Sequence, residues 1–329
     1  MKNSGETKKK KFKLFDMNRD GKGVYEEENR KPTIPFFFKL FFRKFSQLLQ
    51  LNLLLLLMII PFLVWLFTFL VGLKTPTATD VMFAPLYGIN AIVDSPALSN
   101  ILDLSSVQMM IPISSPVMNV IIITLFVILA ITWGWQNAGA AYVLRGLFRG
   151  DPVFVFSDYF YGIKRNLKQA FFLGLIDFAC TGILIFDLIS MNSLTGQSFG
   201  VDFMYFAVFA LLIIWVIMRF YIYTMLVTFN ISNFKILKNA IIFAVLGILR
   251  NAVALVGMAL LIGIHVFLFI YTSITFPAIS AVTIVIPFVY VLSAVGFMGM
   301  FAAYPVVHKY MVAPVESTEP ADSSDIDAE

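Results

Sequence analysis

The sequence predicts an all-α, polytopic membrane fold: six transmembrane helices forming three hairpins, with basic amphipathic segments at the bilayer surface. Three observations predict it. Hydrophobic residues make up 59% of the 329 and charged ones only 13%, where a soluble domain carries about a quarter charged. So little polar surface cannot cover an aqueous core. The apolar residues also come in blocks long enough to cross a bilayer, for which roughly 20 are needed. Finally, Lys and Arg collect in the links between alternate blocks, which is the pattern that sets topology.

Residues 1–35 are expected to form a basic cytoplasmic tail, with Lys8-Lys9-Lys10-Lys11 drawn to the membrane surface. Asp16, Asn18, Asp20, Gly21 and Glu27 match the spacing of a calcium loop. A working loop sits between two amphipathic helices, and neither flank supplies one. Gly23 also stands where an apolar anchor belongs, so a chance match is the preferred reading. The first apolar run begins near Phe36, far beyond a cleavable signal, and is expected to stay attached.

The membrane domain is expected over 36–310. Phe36–Gln50 sets Lys39, Arg43 and Lys44 among aromatic residues, an interfacial lead-in to a span at about 51–72. Further spans are predicted near 117–143, 169–190, 203–229, 240–270 and 279–304, with a turn before Pro277. Residues 311–329 carry six acidic residues and no basic one, which predicts a disordered acidic tail.

Orientation follows from the basic residues. Of the 24, all but Lys74, Arg219 and Arg250 fall on one side of this arrangement. Positive-inside bias then places the protein in the cell membrane with both termini cytoplasmic. The link over 73–116 becomes the long outer segment, with Val81–Ile92 apolar enough to dip into the interface.

Ionisable groups inside spans are costly and usually meet a partner. Asp177 and Arg219 lie at similar depth in the predicted third and fourth spans, so they are candidates to pair. Arg250 is a rival partner. An internal echo lays Ile163–Asp177 on Ile236–Arg250, matching Asn166 with Asn239, Gly174 with Gly247 and Asp177 with Arg250. The structural reading is a buried ion pair, or arginines that snorkel. The functional reading is a polar substrate or proton site. Asn52, Gln136, Asn137 and Asn251 suit helix-to-helix hydrogen bonds or a polar cavity. Gly134-x3-Ala138, Ala259-x3-Gly263 and Gly299-x3-Ala303 offer smooth packing faces.

In the link after the second span, Asp151-Pro152 and Ser157-Asp158 are helix-start signals. Arg145, Arg149, Lys164, Arg165 and Lys168 surround Phe154, Phe156, Tyr159, Phe160 and Tyr161. The simplest reading is an interfacial helix at anionic headgroups; a docking surface for a partner is the alternative. The runs AGAAYVLRGLFRGDP and SDYFYGIKRNLKQ within this stretch resemble the YesL family of bacterial integral membrane proteins. NFKILKNAIIFAVLGILRN and FFRKFSQLLQLNLL are similar to that family's other basic segments. The resemblance covers about 36–310 and implies a multi-span helical protein encoded beside carbohydrate importers and their sensors. It carries over no catalytic residues.

No nucleophile–base constellation, phosphate loop or metal spacing stands in the chain. Cys180 is the single cysteine, and His265 and His308 are isolated. Basic residues that flank apolar blocks do not line a nucleic-acid surface. The expectation is therefore a non-enzymatic accessory or regulatory membrane protein without cofactor or metal. Its expected partners are the lipid bilayer and a membrane permease or sensor. The alternative is a small-solute transporter or channel with a polar site at Asp177, Arg219 and Arg250.

Overall fold

A computed structural model describes residues 32–58, 60–61, 63–65, 73–78, 108–113 and 116–316. The calcium-like pattern, the apolar 81–92 stretch, most of the outer link and nearly all of both charged tails lie outside these residues. Helices α1 (Ile34–Arg43) and α2 (Phe45–Leu56) are followed by β1 (Leu73–Ala78) and β2 (Gln108–Ile113). Then come α3 (Pro116–Arg149), α4 (Val155–Arg165), α5 (Leu167–Asn192), α6 (Phe199–Thr228), α7 (Asn233–Leu246), α8 (Ile248–Thr275) and α9 (Pro277–Val307). A short π-helical turn over His308–Val312 and a last helical turn end the described chain.

Five helices are long and apolar enough to cross a bilayer: Met118–Arg149, Leu167–Asn192, Phe199–Thr228, Ile248–Thr275 and Val282–Val312. They answer the second to sixth predicted spans. The predicted first span is described only through α2 and a few helical residues after it, and 66–72 lie outside the described residues. Apart from the helices, β1 and β2 pair antiparallel, Leu73 opposite Ile113, and so tie together the two ends of the outer link.

The predicted fifth span needs a correction. It begins at Ile248 rather than near 240, because the apolar run over 240–270 is two helices broken at Gly247. Apolar residues flank Gly247 directly on both sides, Val245-Leu246 and Ile248-Leu249, so composition hid the break.

The break belongs to a set of three. Lys44, Asn166 and Gly247 each separate a short helix from a long one, with φ/ψ of −101/11, −113/17 and −93/13. All three lie near the bridge region of backbone space. Counting from each break, the buried residues recur in register: Leu48, Leu51 and Leu55; Ala170, Leu173 and Asp177; Asn251, Ala254 and Met258. The repeat foreseen in the sequence is present, but its register differs. Asn166 corresponds to Gly247, not to Asn239, and Asp177 corresponds to Met258 rather than to Arg250.

Helices α3, α6 and α9 pack pairwise against one another, while α5 lies against α3 and α6, and α2 and α8 lie against α9. Short helices α4 and α7 rest on α3 and α6, and α1 stacks Phe36, Phe37 and Phe41 on Phe297 and Phe301 of α9. Almost all buried residues fall in the half of the bundle that carries the short helices. In the opposite half the stretches 178–192 and 199–217 have no buried residue and present mostly apolar side chains on every side. A helix apolar on every side suits a lipid environment.

Candidate functional site: a saturated polar cluster between three helices

Asp177 is the most deeply buried acid described, with 1% of its surface exposed. Helix α5 carries it to the contact with α3, where Gly134 and Gly174 bring two backbones together. A Cβ on either glycine would overlap the other helix. That approach places Trp133, next to Gly134, against the carboxylate. Its indole N–H donates to Oδ2 at 2.7 Å.

Helix α6 supplies the rest. Trp215, Arg219 and Tyr223 are spaced four apart and share one helical face. The Arg219 Nε lies 2.8 Å from one Asp177 oxygen and 3.0 Å from the other. Tyr223 Oη donates to Oδ2 at 2.7 Å, and Trp215 Nε1 donates to Oδ1 at 3.2 Å and to Thr181 Oγ1 at 3.1 Å. Thr181, one turn beyond Asp177, donates to Oδ1 at 3.3 Å. The Arg219 guanidinium also sits 5.3 Å from the Trp133 ring centroid, within cation–π range.

A carboxylate offers about four lone-pair directions. Here five side chains from three helices converge on it, so its hydrogen-bonding capacity is filled. A buried charge pair repays its desolvation only when such additional bonds satisfy it. The arrangement fixes the rotation of α5 and α6 against α3.

Of the two rival partners, the structure selects Arg219. Arg250 lies on the exposed surface near the start of α8, in another part of the bundle. The other intramembrane candidates are apart from Asp177. Asn52 crosses to α9, where it accepts from Ser293 N–H at 3.0 Å and donates to Phe288 O. Asn251 accepts from Tyr221 Oη at 2.9 Å and donates to Ala244 O at 2.9 Å, so it satisfies a carbonyl left over at the end of α7. Asn137 turns back on its own helix and donates to Trp133 O at 2.8 Å. Gln136 donates to Thr132 Oγ1, leaving its buried Oε1 unsatisfied.

The basic candidates divide. Arg145 is turned into the protein: it donates to Val227 O at the carboxyl end of α6, where a cation meets the negative helix terminus. It is thus a clasp between α3 and α6 rather than a free docking residue. Arg149 pairs with Asp151 at 3.4 Å, with both half exposed. Lys164, Arg165 and Lys168 are exposed around the Asn166 break, beside Phe160 and Tyr161. Within the link, Gly150 takes φ 78 to end α3, and Pro152 follows it. Helix α4 then starts later than Asp151-Pro152 suggested, with Asp158 accepting from Phe154 N–H at 2.9 Å. The buried side of α4 holds Tyr159, whose phenol is pushed well above its ordinary range by burial.

His265 Nδ1 donates to Leu261 O at 2.7 Å and its Nε2 lies 3.2 Å from Tyr290 Oη, in an apolar groove between α8 and α9.

Sequence reasoning found Asp177, Arg219 and the Gly134 packing face. It missed Trp133, Thr181, Trp215 and Tyr223. The signal was present: four-residue spacings of polar-tipped side chains in otherwise aliphatic helices, at Asp177–Thr181 and at Trp215–Arg219–Tyr223.

Compared with family models, with curated proteins and with solved structures, the chain finds no match.

Proposed function

We propose that this chain is a six-span, non-enzymatic accessory or regulatory membrane protein. The observation that carries this reading is how its polar groups are used. Asp177 and Arg219 satisfy each other within one closed cluster, and Asn52 and Asn251 bind helix backbone or a neighbouring tyrosine. Such groups hold helices together and present no polar path to a solute. What remains open lies at the basic end: Lys164, Arg165 and Lys168 beside exposed Phe160 and Tyr161. A cationic surface with aromatic neighbours suits docking to a membrane partner.

In this reading α2 begins the first of six spans, and the three short helices lie on the cytoplasmic face of the cell membrane with both termini. The basic residues of the links support that orientation. The resemblance to the YesL family gives the partner class, a carbohydrate permease or its sensor. Crosslinking in native membranes tests it: recovery of a permease or sensor is the expected result, and its loss on substituting Lys164, Arg165 and Lys168 together would localise the contact. A clean failure to recover either partner sinks the accessory role, as would purified protein that moves a sugar or ion across liposomes by itself. Reporters fused after residue 95 and at the C-terminus test the topology. A cytosolic reporter at 95 overturns it.

A further inference from the structure

Arg145 carries a charge that no carboxylate answers. Its Nη1 donates to Val227 O and lies 3.5 Å from Thr228 Oγ1, so it holds the carboxyl end of α6. A guanidinium has five N–H donors. Here the buried Nε has no partner, and Nη2 makes no hydrogen bond among the described residues. Among those residues no acid lies within ion-pair distance of it either. The helix end supplies about half a negative charge, which leaves a half-buried cation short of a counter-ion. Arg219, by contrast, has Asp177.

Tyrosines stand around this charge. The Arg145 guanidinium carbon is 4.9 Å from the centroid of the Tyr142 ring, one turn earlier on α3. Tyr142 packs on Tyr161 of α4, with ring centroids 5.3 Å apart. The backbones approach because the next residue is Gly162, where a Cβ would lie 2.6 Å from that of Tyr142. On α3, Gly139 and Arg145 fall on opposite sides of Tyr142; on α4, Tyr159 and Tyr161 fall on opposite sides of Gly162. Tyr159 meets Gly139, so Tyr161 emerges on the Arg145 side, and Arg165, one turn on, with it. Gln169 donates to Ile231 O at 2.8 Å, which holds the link after α6 close to the start of α5. Neither the Tyr142 nor the Tyr161 hydroxyl makes a hydrogen bond among the described residues, and Arg165 has no acid partner there.

We propose that this flank binds a phosphate group, held by Arg145 Nη2 and Arg165 with the Tyr142 and Tyr161 hydroxyls donating to its remaining oxygens. Guanidinium groups suit phosphate because they present paired N–H donors. A phosphate also offers enough oxygens for donors that arrive from two helices. The Tyr142 ring and the Val227 carbonyl hold the Arg145 guanidinium in place before any ligand arrives. The same chemistry comes from an anionic lipid headgroup or from a phosphate-bearing solute at the basic end.

Two measurements on the full chain in mild detergent separate these sources. A melting temperature raised by inorganic phosphate beyond chloride of equal ionic strength assigns a solute. One phosphatidylglycerol retained in native mass spectrometry, where phosphatidylcholine is not, assigns a lipid. In whichever arm binding is seen, Tyr142→Phe with Tyr161→Phe keeps both rings and should weaken it about tenfold, from hydrogen bonds lost to a charged group. Arg145→Gln, which keeps an amide donor for Val227 O, should weaken it at least as much, and Arg165→Gln about fivefold. Arg250→Gln, an exposed arginine in another part of the bundle, should change nothing. Binding that is absent in both arms, unchanged in the double tyrosine variant, or lost equally in Arg250→Gln would overturn the site. The substitutions of Lys164, Arg165 and Lys168 that test partner docking leave Arg145 and both tyrosines in place and are read by crosslinking, so the two can fail separately.

Discussion

The two halves of the bundle are built from similar helices and held by different means. In the half that carries the short helices, Gly134 and Gly174 touch, Asp177 gathers five donors, and Asn52 and Asn251 cross between elements. In the opposite half the same helices have no buried residue over long stretches, and Gly182, Gly200 and Gly263 have nothing within 4 Å of where a Cβ would stand. Lipid is as apolar as leucine, so apolar contact alone does little to drive helices together in a bilayer. Close backbone approach and hydrogen bonds do, and among the described residues most of them stand at one end, with Thr272–Thr283 and His265–Tyr290 as bonds between helices beyond it. The protein is clamped most tightly at its basic end.

The largest expected effect tests the clamp directly. Gly174→Leu must push α3 and α5 apart, and because Asp177 lies one turn away it also pulls Trp133 from the carboxylate. A loss of more than about 3 kcal/mol is expected, beyond ordinary overpacking, seen as a collapse of the melting transition in detergent. Gly182→Leu, on the same helix in open space, should stay within about 0.5 kcal/mol. If both substitutions cost the same, the contrast between the halves is wrong.

Next comes the charge pair. Asp177→Asn leaves Arg219 without its counter-ion and should cost about 3 kcal/mol, the low end for breaking a buried pair. Arg219 is about a quarter exposed and can reach water in part. Adding Arg219→Leu should restore a portion of the melting temperature, whereas Arg250→Leu on the same background should restore none. Restoration by the second variant would mean that the arginines had been assigned the wrong way round.

Smaller still is the Asn52 bridge. Asn52→Ala frees the Ser293 N–H and Phe288 O that it now satisfies, so about 1–2 kcal/mol is expected. A double-mutant cycle with Asp177→Asn should be additive, since the two networks share no residue. Strong coupling would show that the clamp is one cooperative unit rather than several separate joints.

These sites also mark what the sequence made legible. Span positions followed from block length, and the Asp177–Arg219 pair followed from equal depth on adjacent spans. The small-residue face at Gly134 was visible for the same local reason. Helix α8's true start was hidden because Gly247 has apolar neighbours on both sides; what demands glycine there is Tyr221, from another helix. Asn52 showed itself as a polar residue in a span, but its partners stand 236 and 241 residues away. No local pattern encodes a contact of that separation. The same holds for Arg145, whose neighbourhood reads as an interfacial cation until α6 brings its carboxyl end across.

The least effect at neutral pH belongs to Tyr159, buried on the inner side of α4 against Gly139. Its phenol is held neutral by burial, so the folded protein keeps a proton that the unfolded chain gives up near its ordinary value of 10. Below that pH both states are protonated and the group contributes no pH dependence. Above it the unfolded state is favoured, and stability should fall by about 1.4 kcal/mol per pH unit from this residue alone. Tyr159→Phe keeps the ring and removes the proton. It should leave the melting temperature at pH 7 unchanged and flatten the alkaline fall between pH 10 and 11 relative to the parent. An equal fall in both proteins would mean that the short helix lifts from the bundle and exposes Tyr159 before it ionises, and that the clamp is looser at its rim than at Asp177.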